Sequence, residues 1–384
     1  MQRRSFLRQS AAALIGVSGL SHCAREPSVI AQRWDERDLD REDPARAALS
    51  GGMLAPNAHN TQPWLLSPRG DAFELSIDPE RLLPFTDPWY RQTHVSQGTF
   101  LETADVIASR YGLEAVAAYF PSGSYGPREL KPLPIARVSF VKRSQPLSRA
   151  LSRAVFGRCS NKRVYEPVVI GQAEMESLTA AGSIHGCRVS VIQDEATRAK
   201  LADLLARAMA VEMADEQRIG ESAKWFRFSQ EELERQGDGF GLGQNGTAGL
   251  RRWLAETFFL SRDDATDPTG AFARGACDIA AQQAASASAF VVVSSEEPTR
   301  AAQVLSGRAF ARIALLATQL GLALHPMSQV LEEYAEMQSL LEEFKRIARI
   351  APGHTVQMLA RLGAATPTPH TPRRALSDLM VQVG

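Results

Sequence analysis

Two glycine-bearing segments recur at one fixed offset, and that spacing constrains the fold of this chain more than any other feature. Ser96-Gln97-Gly98, with Ala108, Gly112 and Leu113 downstream, returns as Ser306-Gly307, Ala317, Gly321 and Leu322; the paired glycines, alanines and leucines stand 209 positions apart. Apolar residues at helical spacing accompany both, Val106 and Ile107 in the first, Ile313, Leu316 and Leu320 in the second, so each reads as a long helix ended by its Gly-Leu pair. A fainter pairing sets Ala55 against Ala181 and His59 against His185, each just ahead of a strand. Two copies point to duplication of one unit and not to a solenoid, which needs three or more.

Short β-rich runs bounded by breakers predict strands over Trp64–Ser67, Phe73–Asp78, Ile135–Lys142, Cys187–Ile192, Phe290–Ser294 and Thr355–Leu362. Helices are expected between them, including an amphipathic one over about Glu195–Gln217 and another over about Leu305–Leu324. The second is apolar around most of its circumference, yet Arg308, Arg312 and Gln319 mark it as a buried core helix and not a membrane span. The expected class is α+β, with helices packed on mixed sheets. A chain of 384 residues holds two to three domain-sized units. The expected division is a leader over 1–26, a first half over 46–145 and a second half over 147–384, with the boundary near Pro146.

The stretch 225–270 departs from this order. It gathers Trp225, Phe226, Phe228, Phe240, Trp253, Phe258 and Phe259 around the glycines of GDGFGLGQNG. That glycine run lacks a preceding strand and the spacing of a dinucleotide fingerprint. A long aromatic insertion serves either as a lid or dimer arm, or as a satellite cluster packed on a sheet.

Charge narrows the partners. Lys+Arg and Asp+Glu number 43 each, with no basic tract, which argues against nucleic acid. Cys23, Cys159, Cys187 and Cys277 have neither metal-site spacing nor a disulfide pattern, so no metal site is expected. Arg3-Arg4-Ser5-Phe6-Leu7 followed by the modestly apolar stretch Ala11–Leu20 reads as a twin-arginine export signal, too short to span a bilayer. Leu20-Ser21-His22-Cys23 is similar to a lipoprotein box, except that His22 is larger than the residue usual there. Cys23 is then either lipidated, which would be the chain's one link to a membrane, or removed with the signal. The expected location is the periplasm or cell envelope, reached through the export machinery.

Two segments carry the candidate chemistry. In APNAHNTQPW, residues 55–64, Pro56 and Pro63 bar a helix interior and enclose Asn57, His59, Asn60 and Gln62. Such a loop either holds a ligand or caps a neighbouring helix. Arg158-Cys159-Ser160-Asn161-Lys162-Arg163 offers two guanidiniums, an ammonium and a hydroxyl, which suit an anion cradle and equally a solvated helix end.

Taken in order, HNTQPW, DPERLLPFTDPWYRQ, RCSNKRVYEP, SGRAFARIALLATQLGLA and RLGAATPTPHTPRR resemble the nitroreductase superfamily of FMN-dependent oxidoreductases. The closer resemblance is to its Acg-like branch, whose single chain carries two nitroreductase-like halves imitating the family homodimer. It extends over most of the chain after about Arg46.

The resemblance implies FMN as cofactor and places Arg158, Ser160 and Lys162 at the flavin phosphate and pyrimidine edge. Lysine replaces the usual arginine there and Arg163 stands beside it, so either could reach the ring. Pro56, Asn57, Ala58 and Asn60 would lie against the isoalloxazine, with Gln62 completing that motif. Arg373 and Arg374 would clamp the phosphate, and Met327, Ser328 and Gln329 would pass near flavin N5. No side chain stands out as catalytic, since the flavin would carry the chemistry. The second half lacks the N-x-Q-P-W sequence and the first lacks R-x-S-x-R, which implies one FMN per chain, between the halves. The implied activity takes electrons from NAD(P)H or another donor to a small electron-poor acceptor, a nitroaromatic or a quinone. The competing reading is FMN storage, with the aromatic insertion as a lid. His59 is either a satisfied loop histidine or a proton donor.

Overall fold

A computed structural model describes residues 28–40, 43–247 and 264–381. The twin-arginine segment, Cys23, and Trp253, Phe258 and Phe259 of the insertion lie outside the described residues.

Eight strands form two sheets. The first orders β1 (Trp64–Arg69), β2 (Ala72–Ile77), β4 (Ala136–Lys142) and β3 (Leu113–Tyr119); the second orders β5 (Arg188–Ile192), β6 (Ala289–Ser295), β8 (Thr355–Gly363) and β7 (Ala323–Pro326). Every ladder in both is antiparallel. The expected mixed sheets are therefore corrected, because no two neighbouring strands are joined by a parallel crossover. β3 and β7 are the two strands missing from the sequence reading. Each follows directly on a Gly-Leu pair; β3 is alanine-rich and β7 only four residues ending on Pro326, so neither carries a clear strand signature.

The recurring segments become two long helices, Arg91–Ala108 and Arg300–Gln319. Gly112 and Gly321 follow them with φ of 71° and 73°, a left-handed turn that glycine adopts without strain. These helices pack against each other at their glycines. A methyl group on Gly98 would overlap the Val304 carbonyl, and one on Gly307 would overlap the Val95 carbonyl. Beside that crossing, fully buried Glu102 accepts from Arg308 Nε at 2.8 Å, His185 Nε2 at 3.0 Å and Arg312 Nε at 2.5 Å. The arginines that mark the second helix as a core helix thus answer a carboxylate on the first. His185 serves this network while His59 lies in a loop elsewhere, so the fainter pairing of those histidines does not extend to their environments.

The helix expected over about Glu195–Gln217 is two, Glu195–Met213 and Glu216–Trp225. Asp215 divides them by accepting from Arg218 N, an N-cap that starts a new helix.

Strand β6 is buried at every position and packs against helices on both sides. The first sheet shares a core with Phe100 and with Val304 of the second repeat helix. Leu376 and Leu379, close to the C-terminus, join that same core, and Val381 N donates to Leu66 O at 2.9 Å. The expected second half over 147–384 is therefore not self-contained, because its last residues cross back to the first sheet. Among the described residues no helix is long and apolar enough to cross a membrane, and Cys159, Cys187 and Cys277 are free thiols.

Candidate functional site

A cavity of about 220 Å³ opens between the two halves. Its walls come from the loop 56–60, the Arg158–Lys162 segment, the stretch from His325 to Glu332 after β7, and residues 368–373. Val95, Ser96 and Thr99 of the first repeat helix and Phe310 of the second also line it, so the packing of these helices helps shape the cavity.

Of the residues that the resemblance assigns to the flavin, Pro56, Asn57, Ala58, Asn60, Arg158, Ser160, Lys162, Ser328, Gln329 and Arg373 line it; Gln62, Arg163, Met327 and Arg374 do not. Each exception has a packing reason. Met327 is buried in the core beneath β8, with its N–H on Leu359 O at 3.0 Å. Arg163 reaches Gly246 O at 3.0 Å, which leaves Lys162 as the cation in the wall. Gln62 donates to Gly237 O at 3.0 Å and accepts from Arg374 N at 2.8 Å. Arg374 itself is drawn to Asp78 Oδ2 at 3.3 Å and Asp378 O at 2.6 Å.

The loop amides also make bonds within the protein. Asn57 Oδ1 accepts from Gln62 N at 2.8 Å, while Asn60 Nδ2 donates to Gly239 O at 2.9 Å and Pro372 O at 3.1 Å. Asn60 Oδ1 accepts from Arg373 at 2.5 Å. The amides thus knit the loop to the insertion and the C-terminal segment. His59, Asn60 and Gln62 hold φ of 49°, 54° and 53°. Positive φ in three non-glycine residues is strain that the surrounding bonds must offset, at about 1–3 kcal/mol apiece.

Cations dominate one end of the cavity. Arg158 and Arg373 are both buried, and their guanidinium carbons lie 5.6 and 4.9 Å from the Trp34 ring centre. Trp34 stacks on His370 at 4.1 Å with planes 9° apart. Among the described residues no carboxylate lies within ion-pair distance of Arg158, Lys162 or Arg373. Burial pushes Arg158 down to about 10; burial and then Arg158 push Arg373 well below its ordinary value. Burial likewise lowers Lys162 to about 8, against the opposing pull of Glu212. The same loss of water, with Lys162 adding to it, lowers His59 to about 4 and keeps it neutral. An anion bound here would relieve all of these shifts.

The opposite end is acidic and was missed in the sequence. Glu212, on the helix Glu195–Met213, lines the cavity; burial raises it to about 7 against Arg218, a hydrogen bond with Gln329, and Lys162. Glu332 lines it too. Neither glutamate stands in a recognisable motif, and both are brought in by helix and turn placement.

The insertion covers one side. Lys162 Nζ sits 4.1 Å from the Phe240 ring centre, and the His59 ring lies 5.8 Å from that of Phe240. His59 Nε2 bonds Ser222 Oγ at 3.2 Å, and Arg81 pairs with Asp238 at 2.9 Å.

Comparison with known proteins adds to this geometry. Residues 178–364 match the model of the nitroreductase family. A Mycobacterium tuberculosis (strain H37Rv) protein named as an NAD(P)H nitroreductase is 27% identical over 345 residues, 87% of this chain and 90% of its own. The NAD(P)H nitroreductase PigM of a Serratia strain is 24% identical over 210 residues, 52% of this chain and 56% of its own. Among solved structures, the FMN-dependent nitroreductase NfnB of Mycobacterium smegmatis, in complex with NADPH, aligns at 17% identity with TM-score 0.36, over 60% of this chain and 96% of that one. A Bacteroides fragilis nitroreductase with bound FMN aligns at 14% identity with TM-score 0.33, over 60% and 97%.

Proposed function

We propose that the whole chain is an FMN-dependent oxidoreductase of the nitroreductase superfamily, in its Acg-like branch, with two halves imitating a homodimer around one flavin. The observation that carries this is the cavity itself: walls from both halves, and buried Arg158, Arg373 and half-buried Lys162 with no carboxylate at ion-pair distance among the described residues. A nearly dianionic phosphate is the ligand such a cation set fits, because buried charge needs charge-assisted partners. The matching strand orders of the two sheets and the helix pair at offset 209 support the pseudo-dimer. The Mycobacterium relative, similar along 87% of this chain, supports both the superfamily and NAD(P)H as donor.

Bound here, FMN would supply hydride transfer between a donor and a second substrate. Arg158, Lys162 and Arg373 would hold its phosphate and pyrimidine charge, and Ser160, Ser328 and Gln329 would orient its polar edges. The loop 56–60, locked by Asn60 and Arg373, would present a fixed surface to the ring. The acceptor is a small electron-poor molecule, a nitroaromatic or a quinone. Arg3-Arg4 and the stretch after it support export to the cell envelope, with Cys23 as the point of lipid attachment if it is retained.

One observation favours the second reading, FMN storage. Phe240, carried by the insertion, lies against Lys162 and His59 and forms part of the cavity wall. A ring held there would cover a substrate face.

The test is the absorbance spectrum of the purified protein with FMN, then with anaerobic NADH or NADPH, then with a quinone. Bound flavin that bleaches and regains its colour is the expected result. Flavin that binds and never bleaches indicates storage, and a protein that takes up no flavin sinks both readings.

A further inference from the structure

At the acidic end of the cavity three carboxyl groups share one guanidinium. Asp87, Glu332 and Glu333 bring oxygens within 4.8 Å of one another. Arg91 Nε donates to Glu333 Oε1 at 2.8 Å, and Arg91 Nη2 lies 3.8 Å from Glu332 Oε1. Arg91 spends its other nitrogens on Gln357 O and Leu331 O, at 2.7 and 3.0 Å. Asp87 accepts from Gln92 N, Thr93 N and Thr93 Oγ1 at the start of the first repeat helix. Fully ionised, this cluster would bury three negative charges against Arg91, which touches it, and Arg300, whose charge also acts on Asp87 and Glu333; low-dielectric surroundings favour a proton over that excess.

The three are not equivalent. Glu332 is 2% exposed and lines the cavity. Its Oε1 accepts from Gln92 Nε2, while its Oε2 is buried with no hydrogen-bond partner; Glu333 Oε2 is likewise unpartnered, but Glu333 does not line the cavity. A buried carboxylate oxygen without a donor is costly, whereas a neutral carboxyl there has a proton to give and no protein acceptor competing for it.

We propose that Glu332 is the acid of this cavity, transferring the proton on Oε2 to the acceptor as that acceptor takes a hydride. The inference rests on the oxidoreductase reading. With a quinone, the hydride from reduced flavin and the proton from Glu332 give the hydroquinone. With a nitro group the same hydride and proton give the nitroso compound and one water. The Glu332 carboxylate then regains its proton from solvent before the next turnover. Asp87 and Glu333 act as positioning residues whose negative charge keeps Glu332 protonated. Burial is the largest cause of its raised value; Arg91 opposes, and Glu333, Asp87 and Glu212 add to it. Tyr334 packs nearby and is itself raised by burial, then by Glu332.

Infrared spectroscopy of the flavin-free protein tests the protonation directly. The carbonyl stretch of an un-ionised carboxyl group is expected at pH 7.5 and is expected to weaken in Glu332→Gln; a band that this substitution leaves unchanged overturns the inference. With flavin bound, rapid mixing of the reduced protein with a quinone is expected to be about 100-fold slower in Glu332→Gln, the usual contribution of a general acid. A wild-type rate in that variant also overturns it. Should Glu332→Gln fail to fold, Glu333→Gln serves instead. Removing that like charge moves the loss of the infrared band to lower pH, and an unmoved band counts against the assignment. If no flavin binds, the oxidoreductase reading fails while the infrared result still decides the state of Glu332.

Discussion

Lys162 is the residue on which the cationic end of the cavity turns. Burial lowers Arg158 only to about 10, whereas Lys162 is lowered to about 8. Above that pH the free protein carries a neutral amine, so binding an anion must take up a proton. FMN affinity is therefore expected to fall as pH rises past 8, by up to about tenfold per unit. Equilibrium titration of flavin fluorescence between pH 6 and 9.5 measures this. Lys162→Arg should remove the slope, and Lys162→Met should leave a weak, flat affinity. That a lysine stands here is plain in the sequence. That it, and not Arg163, faces the cavity follows from Gly246 O, a partner for Arg163 that comes from 83 positions away.

The crossing of the two repeat helices governs the molecule at the next scale. Gly98 and Gly307 have no room for a methyl group, so Gly98→Ala or Gly307→Ala must push the helices apart. The expected cost is about 2 kcal/mol or more for each, read from urea-unfolding midpoints at unchanged slope. The widened crossing should also weaken flavin binding, since the cavity walls hang from these helices.

Glu102 beside the crossing is the second test. Burial opposes its charge, but Arg308, His185 and Arg312 prevail and hold it well below the usual carboxylate range. Its contribution to stability is present above the unfolded value, about pH 4.3, and is lost as pH falls through the lower folded value. Glu102→Gln leaves the partly buried guanidiniums of Arg308 and Arg312 short of a counter-charge and should cost about 3–5 kcal/mol at pH 7, seen as a drop in Tm. The glycines and arginines were legible as a repeat and as a core helix. Their use against each other was not, because helical periodicity names a buried face without naming what covers it.

Across the whole molecule, the C-terminal segment ties the halves together. Leu376 and Leu379 belong to the core of the first sheet, and Arg373 bonds Met53 O and Asn60 Oδ1. A chain ending at Arg374 would lose two buried leucines, about 4 kcal/mol of apolar burial. Hydrogen exchange should then accelerate in β1 and β2 well before β6 and β8. Uniform acceleration in both sheets would show instead that the halves unfold as one unit.

The chain by itself determined the local elements with strong periodicity or punctuation: six of the strands, the two glycine-ended helices, the proline-bounded loop and the basic cluster. Those follow from side-chain spacing and backbone restriction, which are properties of neighbouring residues. Only the tertiary structure decided that the loop amides would bind the insertion and the C-terminal segment, that Lys162 would enter the wall, and that Glu212 and Glu332 would form its acidic end. Each of those outcomes depends on partners scores or hundreds of positions distant, and on burial that changes the charge a group can carry. Neither is written in the spacing of adjacent residues.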